Sequence, residues 1–366
     1  MQLEMNERGT RREGKKGSRL QRCPYISVIV PVLNREQDIR HCLNSLFELD
    51  YPCFEVIVVD NGSIDKTREV VSHYPVKMVV ENRPGAYAAR NRGIQLAQGE
   101  IVAFTDSDCI VNPKWLTNLV QGYLSEDVGG VGGQVLPLKP STLVGEFLSY
   151  GPQEIFHSPQ RVQIERPGNR FLYGALGSGN MSFRISVLKE VRGFLDDLVI
   201  CGDYDLSWRV QRAGYKLIYE PDAIVHHKPR STLWQLIVQF FRLGMYEPQL
   251  LKKQPQRFSY VEIKSYLFSS HEFRCKLPIQ MLVSIDLFNL ATLSLALVFV
   301  DPLFLYVCCG LVLMVLVQAM KRTKEMVENT RRVKWIVLFP FLHIIRSYSF
   351  TLGRIVGGIR QGIISV

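Results

Sequence analysis

ISVIVPVLNREQDI, residues Ile26–Ile39, begins as an apolar, β-branched run, stops at Asn34 and resumes with the charged spacing of a helix. An apolar run without alternation is the pattern of a strand buried on both faces, as in a parallel sheet covered by helices. The pattern then repeats. REQDIRHCLNSLF puts Ile39, Leu43, Leu46 and Phe47 at helical spacing, FEVIVVDNGS is again a strand entering a turn, and DKTREVVSHY reads as a helix. VKMVVENRPG follows as strand and loop, AYAARNRGIQLAQG as a helix closed by Gly99, and IVAFTDSDC as a fourth strand. This alternation predicts an α/β fold built on a doubly wound, mostly parallel, Rossmann-like sheet.

In such sheets ligands bind beyond the carboxyl ends of the strands. Three polar clusters fall there: Pro31 to Asn34, Asp60 to Ser63, and Asp106 to Asp108. Turns everywhere use Asn, Asp and Gly, so it is the convergence of the three clusters at one edge that points to a ligand. Asp106 and Asp108, one residue apart, repel each other unless a cation or a shared proton intervenes. Residues i and i+2 of an extended segment face the same way, and hard carboxylate oxygens suit Mg2+ or Mn2+ completed by substrate phosphates. No GxGxxG follows the first strand and no GxxxxGK[ST] occurs, which argues against a dehydrogenase and a P-loop ATPase. After Asn112 the alternation becomes irregular, and GGVGG, Gly129–Gly133, reads as a flexible crossing.

ISVIVPVLNREQDI, VIVVDNGSIDKT, GAYAARNRGI and IVAFTDSDC, in this order and spacing, resemble the nucleotide-sugar-binding half of a family 2 glycosyltransferase of the GT-A fold. GSGNMSFRISVLKEVRGF resembles the acceptor-side segment of that family, and CGDYDLSWRVQRAGY the segment that carries its base. The resemblance covers about Tyr25 to His227. It implies that Pro31 and Asn34 form part of the nucleotide pocket, that Asp60 reads the base edge, and that Arg90 lies near the diphosphate. It further implies that Asp106 contacts the ribose or the metal, that Asp108 is a direct ligand of Mg2+ or Mn2+, and that His227 approaches the same metal. On the acceptor side it places Gly179 and Asn180, and it makes Asp203 the general base, with Asp205 the competing candidate. Asp203 opens the helical pattern DYDLSWRVQRA, where a helix N-terminus favours the ionised carboxylate; a purely capping role is the plainer reading. For His227 the plainer reading is a surface turn. Trp208 and Tyr215 suit core packing.

Two departures from the family pattern stand out. Many members carry Glu immediately before the base, and here Gly202 takes that place. Processive members carry QxxRW, whereas this chain has QFFRL, Gln239–Leu243. The second departure favours transfer of one sugar or a few over long-chain polymerisation.

The 366 residues are 47% hydrophobic with a mean hydropathy of +0.04, and the apolar excess lies towards the C-terminal end. Ile279–Val300 carries one charge, Asp286, and Leu303–Met320 carries none, with Asp301 and Pro302 between them. Segments of this length and composition predict a transmembrane hairpin over residues 279–320. Basic residues flank both outer ends, which places the catalytic domain on the cytoplasmic face of the cell (inner) membrane. Residues 231–278 are expected to form amphipathic interfacial helices, and residues 321–366 a basic loop and a third membrane-associated helix. Residues 1–24, rich in Arg and Lys without an apolar core, read as a disordered tail rather than a signal peptide. The net charge of +10 suits an anionic lipid surface. No basic stripe interleaved with aromatics calls for nucleic acid. Eight cysteines without CxxC spacing suggest neither a zinc site nor a disulfide framework.

The resulting expectation is a metal-dependent inverting glycosyltransferase, with residues 25–230 as its catalytic domain. It would move a sugar from a nucleotide-sugar donor, a UDP-sugar first, to a lipid-linked or nascent glycan acceptor. The rivals are a processive polysaccharide synthase, a non-catalytic membrane scaffold, and a nucleotidyltransferase, which would release pyrophosphate instead of a nucleoside diphosphate.

Overall fold

The computed structural model describes residues 23–150, 159–164, 175–253, 260–265, 273–278 and 303–362. Residues 1–22 of the expected basic tail, and the first half of the expected hairpin at Ile279–Val300, lie outside the described residues.

The βαβ pattern folds as its periodicity predicts. Strands β1 (Ile26–Val32), β2 (Phe54–Asp60), β3 (Lys77–Val80) and β4 (Ile101–Phe104) are joined by helices α1 (Asp38–Phe47), α2 (Thr67–Ser72) and α3 (Ala86–Leu96). They pair in parallel in the order β3-β2-β1-β4, with Val28 opposite both Val56 and Ala103. Alternate residues of β1 feed two cores. Val28, Val30 and Val32 join Ile39 and Leu43 of α1 on one face, while Ile29 joins Ala89 and Ile94 of α3 on the other. The two faces are covered, so the run carries no polar alternation.

Beyond β4 the sheet becomes mixed. Strand β8 (Met181–Arg184) pairs antiparallel with both β4 and β6 (Val128–Pro137), and β6 runs parallel to β9 (Lys216–His227). Short β5 (Cys109–Val111) and β7 (Val162–Ile164) pair antiparallel with β9. The mixture arises because the residues from Asn112 onward do not repeat the βα unit: α4 (Trp115–Gln121), α5 (Leu143–Tyr150), α6 (Ile185–Glu190) and α7 (Gly202–Arg212) alternate irregularly with these strands.

Two local expectations are corrected. Gly129–Gly133 is not a flexible crossing but part of strand β6, buried through Gly132 and half-buried at Gly133. Its glycines admit neighbours: a β-carbon on Gly130 would stand 2.6 Å from the Phe183 ring, and one on Gly133 2.0 Å from the Ala223 carbonyl oxygen. Likewise α3 ends at Leu96, and Gly99 lies past it, where a β-carbon would meet the Ser27 nitrogen at 2.5 Å. Gly99 is there for close approach of two backbones rather than as a helix stop.

The C-terminal third departs from the expected boundaries. Helix α8 (Leu233–Lys253) lies within residues 231–278, and two antiparallel strands, β10 (Tyr260–Ser265) and β11 (Phe273–Pro278), are described beyond it where helices were expected. Leu303–Met320 lies within α9, which runs on through the expected basic loop to Thr330. Helix α10 (Trp335–Gln361) is long and apolar enough to cross a membrane, with 39% of its most apolar stretch buried. Val144 and Phe147 of α5, Leu236 of α8, Met326 of α9 and Trp335 and Phe339 of α10 share a third core. The helices are thereby packed onto the sheet domain.

Candidate active site

The three polar clusters meet at the carboxyl ends of β1, β2 and β4. Asn34, just past β1, holds a left-handed backbone (φ 52°), which Asn tolerates better than most residues. Its N–H donates to Ser63 Oγ at 2.9 Å and its Oδ1 accepts from the Ile64 N–H at 2.9 Å, so the first two clusters are tied together. Pro31 lies in β1 beyond the last residue that pairs with β4, where that edge of the strand is open.

Asp60 occupies the expected strand end but faces inward. Its carboxylate, 1% exposed, accepts from the N–H groups of Gly62 and Ser63 and pairs with Arg68 at 2.6 Å. It holds the β2 turn closed.

Asp106 and Asp108 diverge. Asp106 Oδ1 receives Arg90 Nη2 at 2.5 Å, and Arg90, from α3, is 4% exposed with its guanidinium over the rings of Tyr87 and Phe194. Asp108 turns the other way, 3.5 Å from His227 Nε2 and 3.7 Å from Arg35 Nη2. Burial alone would raise the Asp108 carboxyl. His227, together with the charges of Arg35 and Arg230, outweighs burial and holds it at about 2. Burial pushes His227 down, but Asp108 and then Asp106 prevail and raise it. His227 is thus not in a surface turn: it ends β9 opposite Cys109 of β5.

Among the described residues, Asp108, Cys109 and His227 each bring one ligand atom to within 4.8 Å of one another. Dication–ligand bonds of about 2.0–2.3 Å set neighbouring ligand atoms roughly 3–4 Å apart. The 3.5 Å separation of Asp108 and His227 meets that requirement, so these residues fit a divalent cation. The sequence reading missed Cys109, Arg35 and Arg230, although each directly adjoins or closely follows a singled-out residue.

Asp203 stands in the first turn of α7. Its Oδ2 accepts from the Ser178 N–H at 3.1 Å and its Oδ1 from the Tyr204 N–H at 3.0 Å. Burial raises its pKa, opposed by those N–H groups and the charge of Arg90. Cys201 occupies the cap position before the helix, so Asp203 is not the N-cap. Asp205, the competing candidate, is 1% exposed and locked to Arg209 at 2.7 Å. The turn Gly177–Asn180 runs between the two carboxylate groups, with Ser178 on Asp203 and Gly179 against Asp106, where a β-carbon would stand 3.3 Å from Oδ2.

Asn180 faces into the fold. Its Nδ2 donates to the carbonyls of Gln134 and Ala223 at 2.9 and 2.7 Å, and its Oδ1 accepts from Trp115 Nε1 at 2.8 Å. Buried at 1% exposure, it latches β8 to β6, β9 and α4. Trp208 is half-buried, with the Arg212 guanidinium 5.2 Å over its ring.

A family model described as Glycosyl transferase family 2 matches residues 27–181. Glycosyltransferase AglE of Haloferax volcanii is 32% identical over 231 residues, which is 60% of this chain and 72% of the relative. A dolichyl N-acetyl-alpha-D-glucosaminyl phosphate 3-beta-D-2,3-diacetamido-2,3-dideoxy-beta-D-glucuronosyltransferase of Methanococcus voltae is 24% identical, over 63% of this chain and 74% of its own length. Other curated relatives are longer, and the matched region spans about half of their length. Mannosyltransferase PcManGT from Pyrobaculum calidifontis, solved in complex with GDP-Man and Mn2+, shares the fold at 20% identity and a TM-score of 0.50, over 90% of this chain and 87% of that one.

Proposed function

The chain belongs to glycosyltransferase family 2 and is a glycosyltransferase, and we propose that it is a membrane-anchored, metal-dependent, inverting enzyme using a nucleoside-diphosphate sugar. The observation that carries the reading is the division of the carboxylates around Arg90. Asp106 is bound to Arg90, Asp108 is left to His227 and the cation side, and Asp203 stands on the other side under the charge of Arg90.

Asp108 and His227 would hold Mg2+ or Mn2+, and the sulfur of Cys109 lies beside them. A bound dication neutralises the departing nucleoside diphosphate. Arg35 lies beside Asp108, and Arg230 acts on it by charge; together they present positive charge to the same phosphates. Pro31 and Asn34 would border the nucleoside, with Asp60 bracing the loop beneath it. On the acceptor side, Asp203 takes the proton of the acceptor hydroxyl as that oxygen bonds to the anomeric carbon. The bond from that carbon to the diphosphate oxygen breaks in the same displacement, so configuration inverts and no covalent enzyme intermediate forms. The acceptor is a lipid-linked glycan, the class named for the Methanococcus voltae relative. Helices α8 and α10 would hold the site at the cytoplasmic membrane face.

The test is a thermal-shift screen of UDP- and GDP-sugars with Mn2+ or Mg2+, because a bound donor raises stability by mass action. The donor that binds should be turned over with release of a nucleoside diphosphate. Pyrophosphate in its place would assign a nucleotidyltransferase. Asp108→Ala should lose the metal-dependent part of the shift, and retention of that part would remove Asp108 as the ligand.

A further inference from the structure

Helix α7, which carries Asp203 in its first turn, begins without a side-chain cap: Cys201 before it holds a left-handed backbone, φ 64°. The first N–H groups of a helix have no partner within the helix and must find one elsewhere. The Tyr204 N–H finds Asp203 itself. The Gly202 N–H donates to the hydroxyl oxygen of Tyr87 at 2.9 Å, a bond that joins α7 to the first turn of α3.

Tyr87 also fills space. A β-carbon on Gly202 would stand 2.6 Å from Cε2 and 2.7 Å from Cζ of the Tyr87 ring, contacts that real side chains do not make. The ring is 8% exposed and stacks on Phe194 at 5.2 Å with an interplanar angle of 16°, and Arg90 lies 5.5 Å over its face. Burial first, and then the charge of Asp203, push the Tyr87 hydroxyl pKa well up, which places the phenol in the electrostatic field of that carboxylate. Tyr87 and Arg90 sit at i and i+3 on α3, adjacent on one helix face.

We propose that Tyr87 is a positioning residue for the base. Its ring occupies the volume that a side chain at position 202 would take, and its hydroxyl oxygen fixes the N–H that precedes Asp203. One turn of α3 thereby sets both carboxylates: Arg90 holds Asp106 on the donor side, and Tyr87 holds the helix end that aims Asp203 at the acceptor. This inference rests on Asp203 being the base.

Tyr87→Phe keeps the ring and removes the oxygen. Transfer kcat should fall by about ten- to a hundredfold, the cost of misplacing a reacting group by up to an ångström, while the KM for donor stays within about twofold of wild type, as expected when an interaction outside donor binding is lost. A purely packing role for the ring would leave kcat unchanged. The second test is a cycle. Gly202→Ala should lower kcat in the wild-type background and cost much less in Tyr87→Ala, where the clash is gone. Asp203→Asn separates the two claims. If it leaves transfer intact, the base assignment falls. If it abolishes transfer while Tyr87→Phe retains wild-type kcat, or if Gly202→Ala costs the same in both backgrounds, the Tyr87 inference is overturned.

Discussion

Asp203 is a buried carboxyl with two backbone N–H groups on it, and burial prevails, so its pKa lies above the ordinary Asp value. As the proposed base, Asp203 must be ionised, so the transfer rate should fall on acidification through that raised pKa, at a higher pH than an unperturbed Asp would give. A profile of kcat against pH checks it, and an acid limb at or below the ordinary Asp value would contradict it. The effect on stability has the opposite sense. A raised folded-state pKa favours the fold below the unfolded value, and this contribution is lost as pH rises through the folded one. Asn180 yields a prediction of another kind. Asn180→Ala strips a buried Trp115 N–H and two carbonyls of their partner, and unfolding in urea should show a loss of about 1–3 kcal/mol or more. At this scale the sequence displayed the carboxylates plainly, because Asp106 and Asp108 follow a buried run at its carboxyl end. It did not display the inward turn of Asp60 towards Arg68 or the latch at Asn180. For Asn180 the partners Trp115 and Ala223 are far away in the chain, and no local period reports them.

Elements were legible where one period governed. The first four strands and three helices follow from apolar runs alternating with 3.6-residue spacing, and their parallel order follows from the crossovers. β6 was not legible, since five residues of GGVGG look like a breaker until the groups pressing on them are known. Gly133→Ala should therefore prevent proper closure of β6 on β9: its β-carbon would meet the Ala223 carbonyl oxygen at 2.0 Å, and that oxygen is backbone that cannot swing aside. Loss of soluble folded protein, or a large drop in the unfolding midpoint, is the expected outcome. Helices α8 and α10 meet in the same manner. Gly244 lies against the Phe350 carbonyl, and Gly353 and Gly357 against those of Phe241 and Met245. Small residues four apart let helices approach this closely in membranes. Glu247 and Arg354, 3–4% exposed, form an ion pair at 2.6 Å within the contact.

Across the whole molecule, α10 turns one face to α8 and leaves Val337, Phe341, Ile344, Tyr348, Leu352, Ile355 and Ile359 exposed. These recur every three or four residues, a continuous apolar stripe along the helix. Arg332 and Lys334, just before this helix, pair with Glu146 of α5, and Trp335 and Phe339 of the helix share a core with Val144 and Phe147 of α5, so the helix that bears the stripe packs on the sheet domain. If α10 is the proposed membrane anchor, replacing Val337, Phe341 and Tyr348 together by Glu should release the protein from anionic liposomes in a flotation assay while leaving the donor-dependent thermal shift in place. Unchanged flotation would move the membrane contact elsewhere.

At this scale too the carboxyl-end edge of the sheet, the turn Gly177–Asn180 and the described apolar helices form one packed body, and the chemistry is proposed to turn on a single proton transfer. The most direct measurement is the rate of sugar transfer to an acceptor-lipid extract, with Mn2+ and the donor found by thermal shift, for wild type and Asp203→Asn side by side. Removing a general base costs about 10²–10⁴ in rate. A fall of that size with the donor-dependent thermal shift retained is the predicted result, and an Asp203→Asn rate equal to wild type would contradict it.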